Sequence, residues 1–151
     1  MTIKDALYRE LKYGPALVGL VSPSNIKLDM RNSVSSTKSE SAYPYVLFRR
    51  ITSSENNQVR VAGERFEIEA IGLRSSGQSG DDTLEAIRTA LLNAYVTGKG
   101  AKWGAYDEDG TPNPSQGVGL KCHYISTVEG YSEDFEEKSH IHIFRFTFLR
   151  S

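Results

Sequence analysis

The residues best suited to chemistry are the soft-ligand pairs Cys122-His123 and His140-x-His142. Zinc needs three or four such donors converging on one point. Neighbours on a strand point to opposite faces, so at most one of Cys122 and His123 can join His140 and His142. The spacing matches no established metal signature. These residues therefore read as a buried thiol and exposed strand histidines, with no metal and no cofactor expected. Asp107, Glu108 and Asp109 before Gly110 suggest a cation loop, but the alternating acidic positions and the closing bidentate Glu of an EF-hand are absent. A solvated turn is expected there. Glu133, Asp134, Glu136 and Glu137 could pair for acid–base work, yet an acidic hairpin tip explains them more simply. No nucleophile elbow, phosphate-binding loop or dinucleotide fingerprint occurs. No catalytic residue is assigned, and the chain is not expected to be an enzyme.

Arginine supplies a different kind of candidate. Arg49 and Arg50 lie in one apolar run, Arg65 and Arg74 bracket the next, and Arg145 lies in the last. Strand arginines usually face solvent, but arginine is also favoured in interface ion pairs. A basic sheet face could meet the acidic tip (Glu133, Asp134, Glu136, Glu137) of an adjacent subunit. Such head-to-tail contacts close into rings.

The elements that would position these residues follow from periodicity. Thr2 is a plausible N-cap, and Ile3, Ala6, Leu7 and Leu11 form the apolar stripe of a helix that Gly14 ends. Pro15 opens a short turn over 16–21. Residues 22–42 read as a long irregular loop. Residues 43–52 form a strand and 58–74 a longer one, with Gly63 suggesting a bulge, so 43–74 is a β-hairpin. After a polar turn at 75–80, Leu84, Ile87, Leu91 and Tyr95 mark a second helix over 81–95. Residues 99–119 hold turn formers at high density. A third strand spans 120–128, and 130–138 forms an acidic connection. The last strand, 140–150, changes phase: Ile141 and Ile143 share one face, while Phe144, Phe146 and Phe148 share the other. A bulge, or cover on both faces, would account for this. The fold class expected is α+β: a mostly antiparallel sheet of about four strands, two main helices packed on one face, and long loops.

Composition bounds the rest. With 151 residues the chain is about one domain. The formal charge is −1, from 18 basic and 19 acidic residues, which disfavours a sequence-independent nucleic-acid binder. A single cysteine precludes an internal disulfide and fits a reducing compartment. No apolar run approaches a membrane span, and the N-terminus lacks a signal-peptide core, so a cytoplasmic product is expected.

The order of these segments resembles that of the tail-completion, or tail-terminator, proteins of long-tailed bacteriophages. The pattern is a helix ending in a step like A-L-x-x-L-V, then P-Y-V-x-x-x-R, a strand such as R-x-x-x-x-I-x-x-x-G, and A-x-x-L-x-x-x-I-R-x-x-L. Degenerate matches to it fall here on residues 16–21, 44–50, 65–72 and 82–92. The C-terminal strand is similar in character only, and 22–42 and 99–119 are longer than the pattern. The resemblance implies a structural virion protein, made in the host cytoplasm. It would form a ring, commonly hexameric, at the head-proximal end of the tail tube, stopping tube polymerisation and docking to the head connector. DNA would pass through its lumen without specific binding. The alternatives are another head–tail connector, tail tube or baseplate subunit, or a small metal-dependent enzyme using Cys122, His140 and His142.

Overall fold

The computed structural model describes residues 2–28, 43–51, 63–73, 77–100, 102–132 and 137–148. Helix α1 spans Ile3–Tyr13, and the Thr2 hydroxyl accepts from the Asp5 N–H at 3.1 Å. This is the side-chain cap that satisfies one of the free donors of a helix start. A 3₁₀ turn at Pro23–Asn25 leads into β1 (Ile26–Leu28). Next come β2 (Tyr45–Ile51), β3 (Gly63–Leu73) and α2 (Gly77–Leu91). A π-helical turn, Leu92–Thr97, prolongs α2, and β4 (Lys102–Trp103), β5 (Val118–Ser132) and β6 (Glu137–Phe148) complete the chain.

The expectation of about four antiparallel strands with two main helices is corrected by the structure. Six strands form one mixed sheet in the order β1-β2-β3-β6-β5-β4, with helices of 11 and 15 residues. The difference lies at both edges. Strand β1 comes from the region read as loop and pairs parallel to β2. Strand β4 comes from the glycine-rich segment and pairs with the start of β5. Strands of three and two residues carry too few positions for any period to be read. The second helix begins at Gly77, inside the stretch expected to be a turn.

Register fixes two faces. On the inner face, Val46, Phe48, Phe66, Ile68, Ala70, Phe144 and Phe146 are buried against Ile3, Leu7 and Leu11 of α1 and Leu84, Ile87 and Leu91 of α2. Phe48 stacks on Phe66 with ring centroids 5.0 Å apart. Trp103 sits edge-on to Tyr95 and Phe146 at 4.9 and 5.3 Å. Each such contact adds about 0.5–1.5 kcal/mol beyond simple burial.

Strand β6 runs without a bulge against β3: Phe144 and Phe146 are buried on the inner face, while Ile141 and Ile143 lie half-buried on the outer one. The bulge lies instead in β5, where the register shifts between Tyr124 and Ser126. The extra residue, Ile125, is exposed, and Thr127 and Glu129 are thereby brought to the inner face opposite His142 and His140.

A second anchor ties the glycine-rich segment to α1. Gly104 has φ +72°, and a Cβ there would lie 2.5 Å from the Ala6 carbonyl oxygen, so only glycine fits this approach. Its N–H donates to Glu10 Oε1 at 3.0 Å, and Lys99 Nζ lies 3.2 Å from the same oxygen. Glu10, on the buried side of α1, thus closes the helix over the segment that carries Trp103.

Candidate functional site

A groove of about 570 Å³ opens between α2 and the β5–β6 hairpin. Asp81 and Glu85 line it from α2, Glu129 and Gly130 from β5, and Lys138, Ser139 and His140 from β6. Asp81 and Glu85 are four residues apart and so share a helix face. His140 faces inward because it keeps the two-residue phase of Phe144 and Phe146. At the groove mouth Lys138 Nζ pairs with both Asp81 oxygens, at 3.0 and 3.2 Å. His140 Nδ1 is 3.9 Å from Glu85 Oε1, and its Nε2 is 3.6 Å from Glu129 Oε1.

Deeper in, a polar chain crosses the inner face. The Tyr124 hydroxyl is 2.7 Å from Thr127 Oγ1, which is 3.0 Å from His142 Nδ1. Burial, together with the neighbouring His140 and Arg88, pulls the His142 imidazole down to about 4, so the ring is neutral at physiological pH. For Tyr124 burial acts upward, but the Thr127 and Arg88 contacts outweigh it and leave the phenol below its ordinary value. Burial alone pushes the Cys122 thiol up to about 12.

The soft-ligand set considered from sequence does not converge. Cys122 is in register with Phe146, six positions along β6 from His140, a separation of roughly 20 Å at the usual strand rise. His140 and His142 are buried rather than exposed. A different trio does come together: single donor atoms of Glu85, Glu129 and His140 lie within 4.8 Å of one another. The two glutamates were not singled out from sequence. Glu85 flanks the apolar stripe and could have been placed by helical period. Glu129 reaches His140 only through the bulge, which no residue pattern announces.

The sheet's outer face carries Arg49, Arg65 and Arg145. Arg49 Nη2 is 2.7 Å from Glu69 Oε1, which is buried, and its Nε is 3.2 Å from Glu67 Oε2. Arg65 lies opposite Arg145, which in turn lies opposite His123. The Arg145 Nε is buried and has no hydrogen-bond partner among the described residues. Arg50 is in register with Phe66. Glu137 is buried and accepts from Tyr43 and Tyr45 at 2.6 and 2.9 Å. Its negative charge and burial raise the Tyr43 phenol above its ordinary value, burial contributing most. Arg74, Glu133, Asp134 and Glu136 lie outside the described residues.

No protein-family model matches the chain, and no curated protein sequence matches it. A solved structure does. One chain of the "Virion of native gene transfer agent (GTA) particle" superposes with a TM-score of 0.58 at 17% identity, over 97% of this chain and 93% of that one. The two chains share a fold nearly end to end. Among the described residues no helix is long and apolar enough to cross a membrane.

Proposed function

We propose that this chain is a structural virion protein, and within the virion a tail terminator. Several copies, six as the family resemblance implies, form a ring at the head-proximal end of the tail tube. The ring stops tube growth and offers the head connector a docking surface, while DNA passes through its lumen. The observation that carries the structural role is the fold shared over 97% of the chain with a virion subunit. The order of motifs over residues 16–21, 44–50, 65–72 and 82–92 supports the finer assignment. The role is non-catalytic.

The physics is compatible. A growing tube ends in unsatisfied strand edges and apolar patches that keep recruiting subunits. A terminator covers that end and presents a different surface beyond it. A net charge of −1 suits a lumen through which DNA must slide, because many phosphate contacts would hold it. The outer face supplies contact chemistry in Arg65 and Arg145, near exposed Ile125.

The test mixes purified chain with tail tubes assembled without it. Negative-stain images should show a ring closing one tube end, tube growth should stop, and light scattering should show a discrete oligomer. A chain that stays monomeric and never caps a tube would overturn the assignment. Labelled protein seen elsewhere along the particle would favour a connector, tube or baseplate subunit instead.

A further inference from the structure

The groove between α2 and the β5–β6 hairpin holds donors that the assembly reading does not use. His140 is 8% exposed, and its Nδ1 has no hydrogen-bond partner among the described residues. Buried ring nitrogens are ordinarily satisfied. Here the two carboxylate contacts, at 3.9 and 3.6 Å, are beyond hydrogen-bond reach. The buried ring thus lies between two acidic side chains from two different elements, its unpartnered Nδ1 facing Glu85 and its Nε2 facing Glu129.

We propose that Glu85, Glu129 and His140 form a binding site for a divalent transition metal of the zinc class. Their donor atoms lie within 4.8 Å of one another. Donors around a tetrahedral zinc, at about 2.0–2.1 Å from the ion, stand roughly 3.4 Å apart. Closing the difference takes a small rotation of the carboxylates, and their side chains are free to make it, at 53% and 73% exposure for Glu85 and Glu129. The remaining restraint on Glu85 is a 3.9 Å surface pair with Arg88, which is weak. An imidazole donor with two carboxylates suits zinc, cobalt or manganese, whereas calcium and magnesium prefer all-oxygen sets. Three protein donors leave a coordination position open toward the groove. The ion would clamp α2 to the β5–β6 hairpin, two elements otherwise tied at this end by the Lys138–Asp81 pair. The inference stands independently of the assembly reading.

The test uses the full chain without an affinity tag, stripped with EDTA. Zinc chloride is titrated by calorimetry, and cobalt chloride is followed by visible absorption. One saturable equivalent per chain is expected, with a cobalt spectrum of low-symmetry nitrogen–oxygen coordination and no uptake of calcium or magnesium. Glu85→Gln and Glu129→Gln should each weaken zinc binding roughly 10–100-fold or more, the range seen when even a ligand's supporting partner is lost. Both positions are exposed, so these variants should keep the parent's circular dichroism and its urea midpoint measured in EDTA. No saturable zinc binding below about 1 mM would overturn the proposal and leave the trio an ordinary histidine–carboxylate cluster; that limit corresponds to about 4 kcal/mol of binding free energy. Binding that neither glutamine variant weakens would overturn it as well, by placing the zinc elsewhere.

Discussion

Replacing Glu10 tests whether one buried carboxylate holds α1 to the segment carrying Trp103. The Glu10 side chain is 3% exposed, accepts from the Gly104 N–H at 3.0 Å, and lies 3.2 Å from Lys99 Nζ. In Glu10→Ala the Gly104 donor stays buried with nothing to bond, which costs roughly 1–3 kcal/mol. Loss of the partly exposed Lys99 pair adds up to about 1 kcal/mol. The sum is about 3 kcal/mol. Glu10→Gln keeps an oxygen that can accept from Gly104 and loses only the charge, so about 1 kcal/mol is expected. Urea unfolding with an unchanged m-value measures both. For a chain of this size the alanine variant should melt about 6–12 °C lower. An alanine variant within about 0.5 kcal/mol of the parent would refute the reasoning, since surface changes fall in that range. So would a glutamine variant as unstable as the alanine one, because the hydrogen bond would then contribute nothing separate from the charge.

Stability should also depend on pH through His142. Its folded value, about 4, lies below the ordinary 6.5, so the unfolded chain takes up the proton first as pH falls. The native state's advantage is complete above about pH 6.5 and is lost progressively down to about pH 4; at about 1.4 kcal/mol per pH unit this amounts to roughly 3 kcal/mol. Urea midpoints at pH 7, 5.5 and 4 should show the decline, and His142→Gln should flatten it; equal slopes in the two proteins would remove His142 as the cause. Cys122, with its thiol pushed up to about 12, should react with DTNB at pH 8 on the order of 1000-fold more slowly in the native protein than in urea. Equal rates would show that the thiol is not held in an apolar setting. Arg65→Glu places a carboxylate opposite Arg145, so urea stability should hold or rise by roughly 0.2–1 kcal/mol while ring assembly is lost. Intact rings would remove this row from the subunit contact.

The legible parts of the chain are those with enough repeats to average over. The stripe Ile3, Ala6, Leu7 and Leu11 and the stripe Leu84, Ile87, Leu91 and Tyr95 are all buried. The Thr2 cap and the Gly14 helix end are where their side-chain chemistry places them. Strands β2 and β3 pair antiparallel, as alternation on both sides of a polar cluster requires. What escaped the sequence depends on contacts between distant segments. Strand β1 exists because three residues find β2, and β4 because Trp103 is held over the inner face. Gly77 and Gly80 weaken a helix locally, yet α2 starts at Gly77. The candidate groove was half visible. The phase of Phe144 and Phe146 already places His142 and His140 on the interior face, but a one-residue bulge at Ile125 decides that Glu129 joins them.

On the assembly proposed above, the outer face divides its residues between folding and contact. At the end of the sheet holding Tyr45, Ile71 and Glu137, Arg49, Glu67, Glu69 and Glu137 all have partners within the chain. Arg49 answers Glu67 and Glu69, and Glu137 is held by two tyrosine hydroxyls. Those groups are half-buried or buried, where an unmatched charge would cost several kcal/mol. Toward Gly63 the pattern reverses. Arg65 and Arg145 are cross-strand neighbours of like charge, His123 adjoins them, and Ile125 is exposed one strand away. Like charges directly opposite in a sheet are destabilising, so this row weakens the isolated subunit. A subunit that must assemble has to leave some surface unsatisfied when alone, and the unsatisfied surface must not be what holds its own core. The described outer face meets both conditions. Of the arginines expected at an interface, Arg49 is committed to the fold, and under the proposed assembly Arg65 and Arg145 are the pair with charge to offer a neighbour.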